Sequence, residues 1–166
     1  MTDEDFKTTR ESGEWAEEII AQHLKDKEYK IIHFYKDSEY DILVEKDNKL
    51  IRIEVKLDQS DLNNTINIEF KSSGTPSGIS ITNAHYYFCL QPKINELMVM
   101  KVEDIKDAIK EQMLSRAITI SGDGSYNSLA RYYNMNKDDI KNRRTTINWK
   151  KYETSKYPRP EKLKHL

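Results

Sequence analysis

What this sequence is short of narrows the classes it can belong to. A single cysteine, Cys89, removes any internal disulfide framework. Its place in the apolar run Tyr86-Tyr87-Phe88-Cys89-Leu90 marks it as a small buried hydrophobe. With five glycines and four prolines in 166 residues, the chain has no low-complexity stretch, and it shows no internal repeat. No apolar run approaches the length of a membrane span, so a membrane is not an expected partner. The acidic start Met1-Thr2-Asp3-Glu4-Asp5 lacks the basic residues and apolar stretch of a signal peptide. These absences predict a cytoplasmic protein in a reducing compartment.

About a third of the residues are charged, and the net charge is −1. That small sum hides an asymmetry. From Lys137 to Leu166 there are ten basic and four acidic residues, which leaves seventeen basic and twenty-four acidic in residues 1–136. A basic end on an acidic body suggests polyanion contact at the end and a cation site in the body. The apolar residues are clustered rather than scattered, as in one folded domain. We expect that domain to span 1–156, followed by a flexible C-terminal tail over 157–166 with prolines at 158 and 160.

Periodicity predicts a helix over 12–27, with Ser12 as cap and Trp15, Ala16, Ile19, Ile20, His23 and Leu24 on one face. Strands follow at 30–35, 40–45, 50–57, 65–71, 85–90 and 96–102, then a helix over 103–114 and an edge strand near 118–120. Residues 72–78 (Ser-Ser-Gly-Thr-Pro-Ser-Gly) read as a loop, whose Ser77 is a candidate hydrogen-bond donor to phosphate.

The hairpin across 46–49 carries the chemistry. Either a two-residue or a four-residue turn gives paired positions that sum to 95, so Asp41 lies opposite Glu54. Directly opposed side chains share a face, with Cβ atoms roughly 5 Å apart. Lys56, two residues beyond Glu54, projects from that same face. The other face carries Ile42, Val44, Ile51, Ile53 and Val55, a continuous apolar surface. Two opposed carboxylates beside a core are unfavourable unless a cation sits between them, and hard oxygen ligands suit Mg²⁺ or Mn²⁺. A plain exposed strand face, neutralised by Lys56 and Arg52, is the alternative reading of the same residues.

Asp41, twelve intervening residues, then Glu54-Val55-Lys56 resembles the D-x(n)-E-x-K signature of PD-(D/E)XK nucleases. Gly13-Glu14-Trp15-Ala16-Glu17 is similar to the G-x-x-A-E segment of archaeal-type Holliday-junction resolvases. The stretch Asn67-Ile68-Glu69-Phe70 with Pro76-Ser77-Gly78-Ile79 resembles phage-encoded nucleases of the superfamily. The resemblance covers roughly residues 12–102. It implies an α/β (α+β) restriction-endonuclease-like αβββαβ core, a central mixed sheet flanked by helices. The implied activity is metal-dependent hydrolysis of DNA phosphodiester bonds, with branched DNA in phage-type processing or recombination as one candidate substrate beside those of restriction, repair and exonuclease action. For a phage-encoded enzyme the compartment would be the host cytoplasm.

By the same resemblance, Asp41 and Glu54 with the backbone carbonyl of Val55 would hold the metal, and Lys56 would orient water or stabilise the transition state. On the leading helix, Glu17 borders the apolar face while Glu14 and Glu18 point away, so Glu17 is the expected fourth catalytic and metal-binding residue. Asp58 and Glu69 are candidates for supporting roles. DNA is the expected partner, with a homodimer left open.

At the basic end, Arg143, Arg144, Lys150 and Lys151 around Trp149 are the expected backbone contacts. A rival reading takes 129–144 as a helix-turn-helix, with Ala130, Asn134 and Ile140 at that motif's spacings, in a non-catalytic DNA-binding protein.

Overall fold

The computed structural model describes residues 3–35, 39–61, 63–112, 118–121, 130–154 and 158–164. Helix α1 spans Asp3–Asp26, and its apolar stripe buries Trp15, Ala16, Ile19, Ile20, Ala21 and Leu24. Ser12, expected to cap this helix, is instead buried within it. Residues 3–11 carry no apolar stripe, so periodicity could not reveal the extra turns.

Three antiparallel strands follow: β1 (Lys30–Phe34), β2 (Ile42–Lys46) and β3 (Lys49–Leu57). Asp47 (φ 51°) and Asn48 (φ 60°) form the two-residue turn between β2 and β3. Both central residues are left-handed, the geometry whose twist matches that of the flanking strands. The register pairs Ile42 with Ile53 and Leu43 with Arg52, as expected.

After β3 come β4 (Thr65–Ser72), β5 (Thr75–Pro76) and β6 (Tyr86–Gln91), then β7 (Glu96–Lys101) and helix α2 (Val102–Gln112). The chain ends through β8 (Ile118–Ser121), β9 (Ala130–Asn136) and β10 (Arg144–Ile147). The central mixed sheet has the order β1-β2-β3-β6-β7-β10, with β3 and β6 parallel. A second sheet has the order β5-β4-β9-β8. Parallel neighbours need a long crossover. Here β4, β5 and a short 3-10 turn at Gly78–Ser80 provide it. The fold is thus mixed α+β, and its crossover is strand-built. The expected loop at 72–78 is largely a tight β4–β5 hairpin, pairing Ser72 with Thr75.

Alternation along each strand sorts the core into two layers. Ile42, Val44, Ile53, Phe88, Leu90 and Leu97 point to the face covered by α1. Tyr87, Cys89, Met98 and Met100 point to the other face, where Ile66 and Ile68 of β4, Met135 of β9 and Ile105 of α2 cover them. Glu54 pairs with Tyr87 and Lys56 with Cys89, so the carboxylate face of the hairpin is the one that meets the second sheet.

The helix-turn-helix expectation is corrected. Residues 130–136 form β9, paired with β4 on one side and β8 on the other, so the helix-turn-helix reading of 129–144 fails. Ladder bonds to distant strands override the local helical spacing, and Ala130 and Asn134 are strand residues. Residues 158–164 lie near the domain core. Arg159 pairs with Glu153, and Leu163 is fully buried against the α1 core. Leu163 is apolar surface the core can use, and burying it outweighs the prolines before it.

Candidate active site

Asp41 lies one residue before β2 and is tied to β3 twice. Its N–H donates to the Ile53 carbonyl at 2.9 Å, and its Oδ2 accepts the Val55 N–H at 2.6 Å. These bonds continue the hairpin register to the Asp41–Glu54 position. Glu54 is buried, and Lys56 Nζ lies 3.6 Å from its Oε1. The hairpin thus brings Asp41, Glu54 and Lys56 together on one face, with Glu54 the most buried of the three.

Burial, followed by the nearby Asp41 charge, pushes the Glu54 carboxyl up to about 7, with Lys56 and Thr82 only partly opposing. Burial raises Asp41 as well, against the pull of the Val55 N–H and of Lys56. Burial alone would lower Lys56, but Glu54, Glu69 and Asp41 outweigh it and hold the ammonium above its ordinary value. Three carboxylates therefore act on one lysine, and the cluster is short of positive charge.

A divalent cation would offset this deficit. Among the described residues no group of three or more His, Cys, Asp or Glu is gathered as a metal cage. The donors on offer are the two carboxylates of Asp41 and Glu54 and the Val55 carbonyl. All are hard oxygens, and Mg²⁺ characteristically takes one or two carboxylates and keeps several waters. One Asp41 oxygen is engaged by Val55, which fixes the carboxylate's orientation.

Thr82 is a contributor that sequence reading missed. Its buried hydroxyl lies 3.3 Å from Glu54 Oε2 and 2.8 Å from the Glu39 carbonyl, and it accepts the Ala84 N–H. Its approach to Glu54 depends on where the crossover returns, which no local pattern reveals. Asn67 and Tyr132 also lie beside the site. With Lys56, Asp58, Gln59 and Glu69 they line a cavity of about 360 Å³ between β3 and the second sheet. Two larger hollows, of about 570 and 660 Å³, hold none of Asp41, Glu54 and Lys56.

The other candidates are more dispersed. Glu17 is half-buried on α1, which packs against the sheet face opposite to that of Glu54 and Lys56. Asp58 accepts the Ser60 N–H at 2.9 Å and the Gln91 amide at 3.0 Å, bracing the loop after β3. Ser77 donates to Glu69 Oε1 at 2.8 Å. At the basic end, Arg143 forks onto Glu111, Arg144 approaches Glu96 at 3.4 Å, and Lys151 lies 3.7 Å from Asp26. Lys150 is exposed. Trp149 is no surface aromatic: it is buried edge-on against Trp15, with ring centroids 5.8 Å apart. No helix among the described residues is long and apolar enough to cross a membrane.

Residues 7–114 match the sequence model of the PD-(D/E)XK endonuclease family. A UPF0102 protein of Flavobacterium johnsoniae is 43% identical over 49 residues, 28% of this chain and 40% of that protein. Another, from Syntrophomonas wolfei, is 43% identical over 54 residues, 31% of this chain and 47% of its own. The matched stretch thus spans less than half the length of either relative. Among solved structures, a bacterial homing endonuclease is similar with a TM-score of 0.45 and 13% identity, over 57% of this chain and 70% of that one.

Proposed function

From the premise that this chain belongs to the PD-(D/E)XK endonuclease family, we propose that it is a metal-dependent deoxyribonuclease whose active site is Asp41, Glu54 and Lys56. The observation that carries the reading is the opposed carboxylate pair, buried beside one lysine and held by the Val55 N–H. Asp41, Glu54 and the Val55 carbonyl would hold Mg²⁺, with Mn²⁺ as a substitute. Bound there, the ion lowers the pKa of a coordinated water and offsets charge on the attacked phosphate.

The chain's own groups do the rest. Asp41 and Glu54 fix the geometry, since Val55 locks one and burial holds the other. Lys56, a compact cation with three movable donors, faces the cavity where a scissile phosphate would lie and stabilises charge as it builds on the phosphoryl oxygens. Glu17 would have to reach the cluster from the far side of the sheet, so its contribution would run through water.

Branched DNA is the substrate we favour, in phage-type processing or recombination, with Arg143, Arg144, Lys150, Lys151 and Ser77 as candidate phosphate contacts and a homodimer as a candidate assembly. Incubation with linear, nicked, single-stranded and four-way-junction DNA tests this, with Mg²⁺ and with a chelator in its place. Metal-dependent cleavage fastest on the junction is the expected result. Equal rates on all four substrates would remove the branch preference and leave the nuclease.

A further inference from the structure

The second sheet does more than bury apolar surface. Along β4, Ile66 and Ile68 turn into the core, while Asn67 and Glu69 line the cavity that opens on Lys56. Glu69 pairs in register with Tyr132 of β9, another lining residue. The Asn67 Oδ1 atom is buried there without a hydrogen-bond partner among the described residues.

Glu69 is held from both its side chain and its backbone. The chain folds back after β5, so that the Ser77 N–H donates to the Phe70 carbonyl at 3.0 Å and the Ser77 hydroxyl to Glu69 Oε1 at 2.8 Å. At the next residue, Gly78 (φ +50°), a Cβ would lie 2.3 Å from the Glu69 carbonyl oxygen. Only glycine allows that approach. The Pro76-Ser77-Gly78 turn therefore clamps the Glu69 backbone and aims its carboxylate.

Lys56 lies on the other side of the cavity, 3.6 Å from Glu54 Oε1, longer than a hydrogen bond. If Glu54 gives its charge to a metal, it can no longer hold the ammonium. Glu69 is the carboxylate placed to take over from the cavity side.

We propose that Glu69 is a positioning residue of the active site, clamped by Ser77 and Gly78 so that its carboxylate holds Lys56 Nζ over the cavity. The proposal rests on the nuclease reading above. Because it acts through Lys56, its effect must vanish when Lys56 is gone, whereas a merely structural role would persist.

Single-turnover cleavage by wild type, Glu69→Gln, Lys56→Ala and the double variant tests it, with DNA affinity measured alongside. Glu69→Gln should slow the chemical step by roughly 10- to 100-fold at unchanged affinity, and should cost nothing further in the Lys56→Ala background. Ser77→Ala, which keeps the carboxylate but frees it, should show a smaller loss. Multiplicative losses in the double variant, or full activity in Glu69→Gln, would overturn the proposal. A second readout needs no catalysis: the Lys56 Nζ resonance should shift in Glu69→Gln and stay in place in a remote Glu103→Gln control. If wild type cleaves nothing but that resonance shifts, the nuclease reading has failed and the influence of Glu69 on Lys56 stands. No shift overturns that influence itself.

Discussion

Raising the pH should weaken the metal-free protein, chiefly through Glu54. Its carboxyl ordinarily titrates at 4.5 and here is pushed up to about 7 by burial and by Asp41. Between those values the folded state binds a proton that the unfolded state has released. The stabilisation is fully present below about 4.5 and gone above about 7, so stability falls as pH rises through that window. A difference of that size corresponds to about 3 kcal/mol, a large part of the ~5–15 kcal/mol that holds a typical domain together. Asp41 is shifted in the same direction by burial and adds to the effect. Urea unfolding in a chelator, from pH 4.5 to 8, measures it for wild type and Glu54→Gln. The amide stays neutral, so the stability difference between the two proteins should change by about 2–3 kcal/mol across the window. At pH 8, Mg²⁺ or Mn²⁺ should restore wild-type stability and leave Glu54→Gln unchanged. Parallel pH profiles for the two proteins would refute the reasoning, since Glu54 would then be no more strained folded than unfolded.

Lys56→Ala should slow single-turnover cleavage by orders of magnitude while metal affinity, read by titration, stays within a few-fold. Trp149→Ala should cost about 3–5 kcal/mol in urea unfolding, because the ring is buried edge-on against Trp15; a loss under 1 kcal/mol would mean the core repacks around it. Replacing Arg143 and Arg144 together by Ala should lower the salt slope of DNA binding by about one unit for each phosphate that is no longer neutralised. If affinity and slope hold, their pairs with Glu111 and Glu96 are their whole role.

The hairpin was legible because everything that defines it is local. Alternation of apolar residues, a polar two-residue turn and the fixed sum of paired positions put Asp41 opposite Glu54 without reference to the rest of the chain. The apolar face of α1 was legible for the same reason, while its polar first turns were not. The second sheet was hidden because β4 finds its partner some sixty residues later, in β9. Taken alone, residues 130–140 fit a helical spacing, and it is the ladders to Thr65–Ser72 and Ile118–Ser121 that make 130–136 a strand. Thr82, Asn67 and Tyr132 were missed with it, since each reaches the site through that long-range arrangement. Leu163 shows a similar limit: Pro158 and Pro160 mark irregular backbone but say nothing of what a later side chain covers.

The decisive measurement is cleavage of DNA by Glu54→Gln beside wild type, at saturating Mg²⁺ and again in a chelator. Wild type should cut only with the metal, and Glu54→Gln, folded and still binding DNA, should not cut at all. Cleavage by wild type in the chelator, or a near wild-type rate in Glu54→Gln, would rule out a metal site at Asp41 and Glu54.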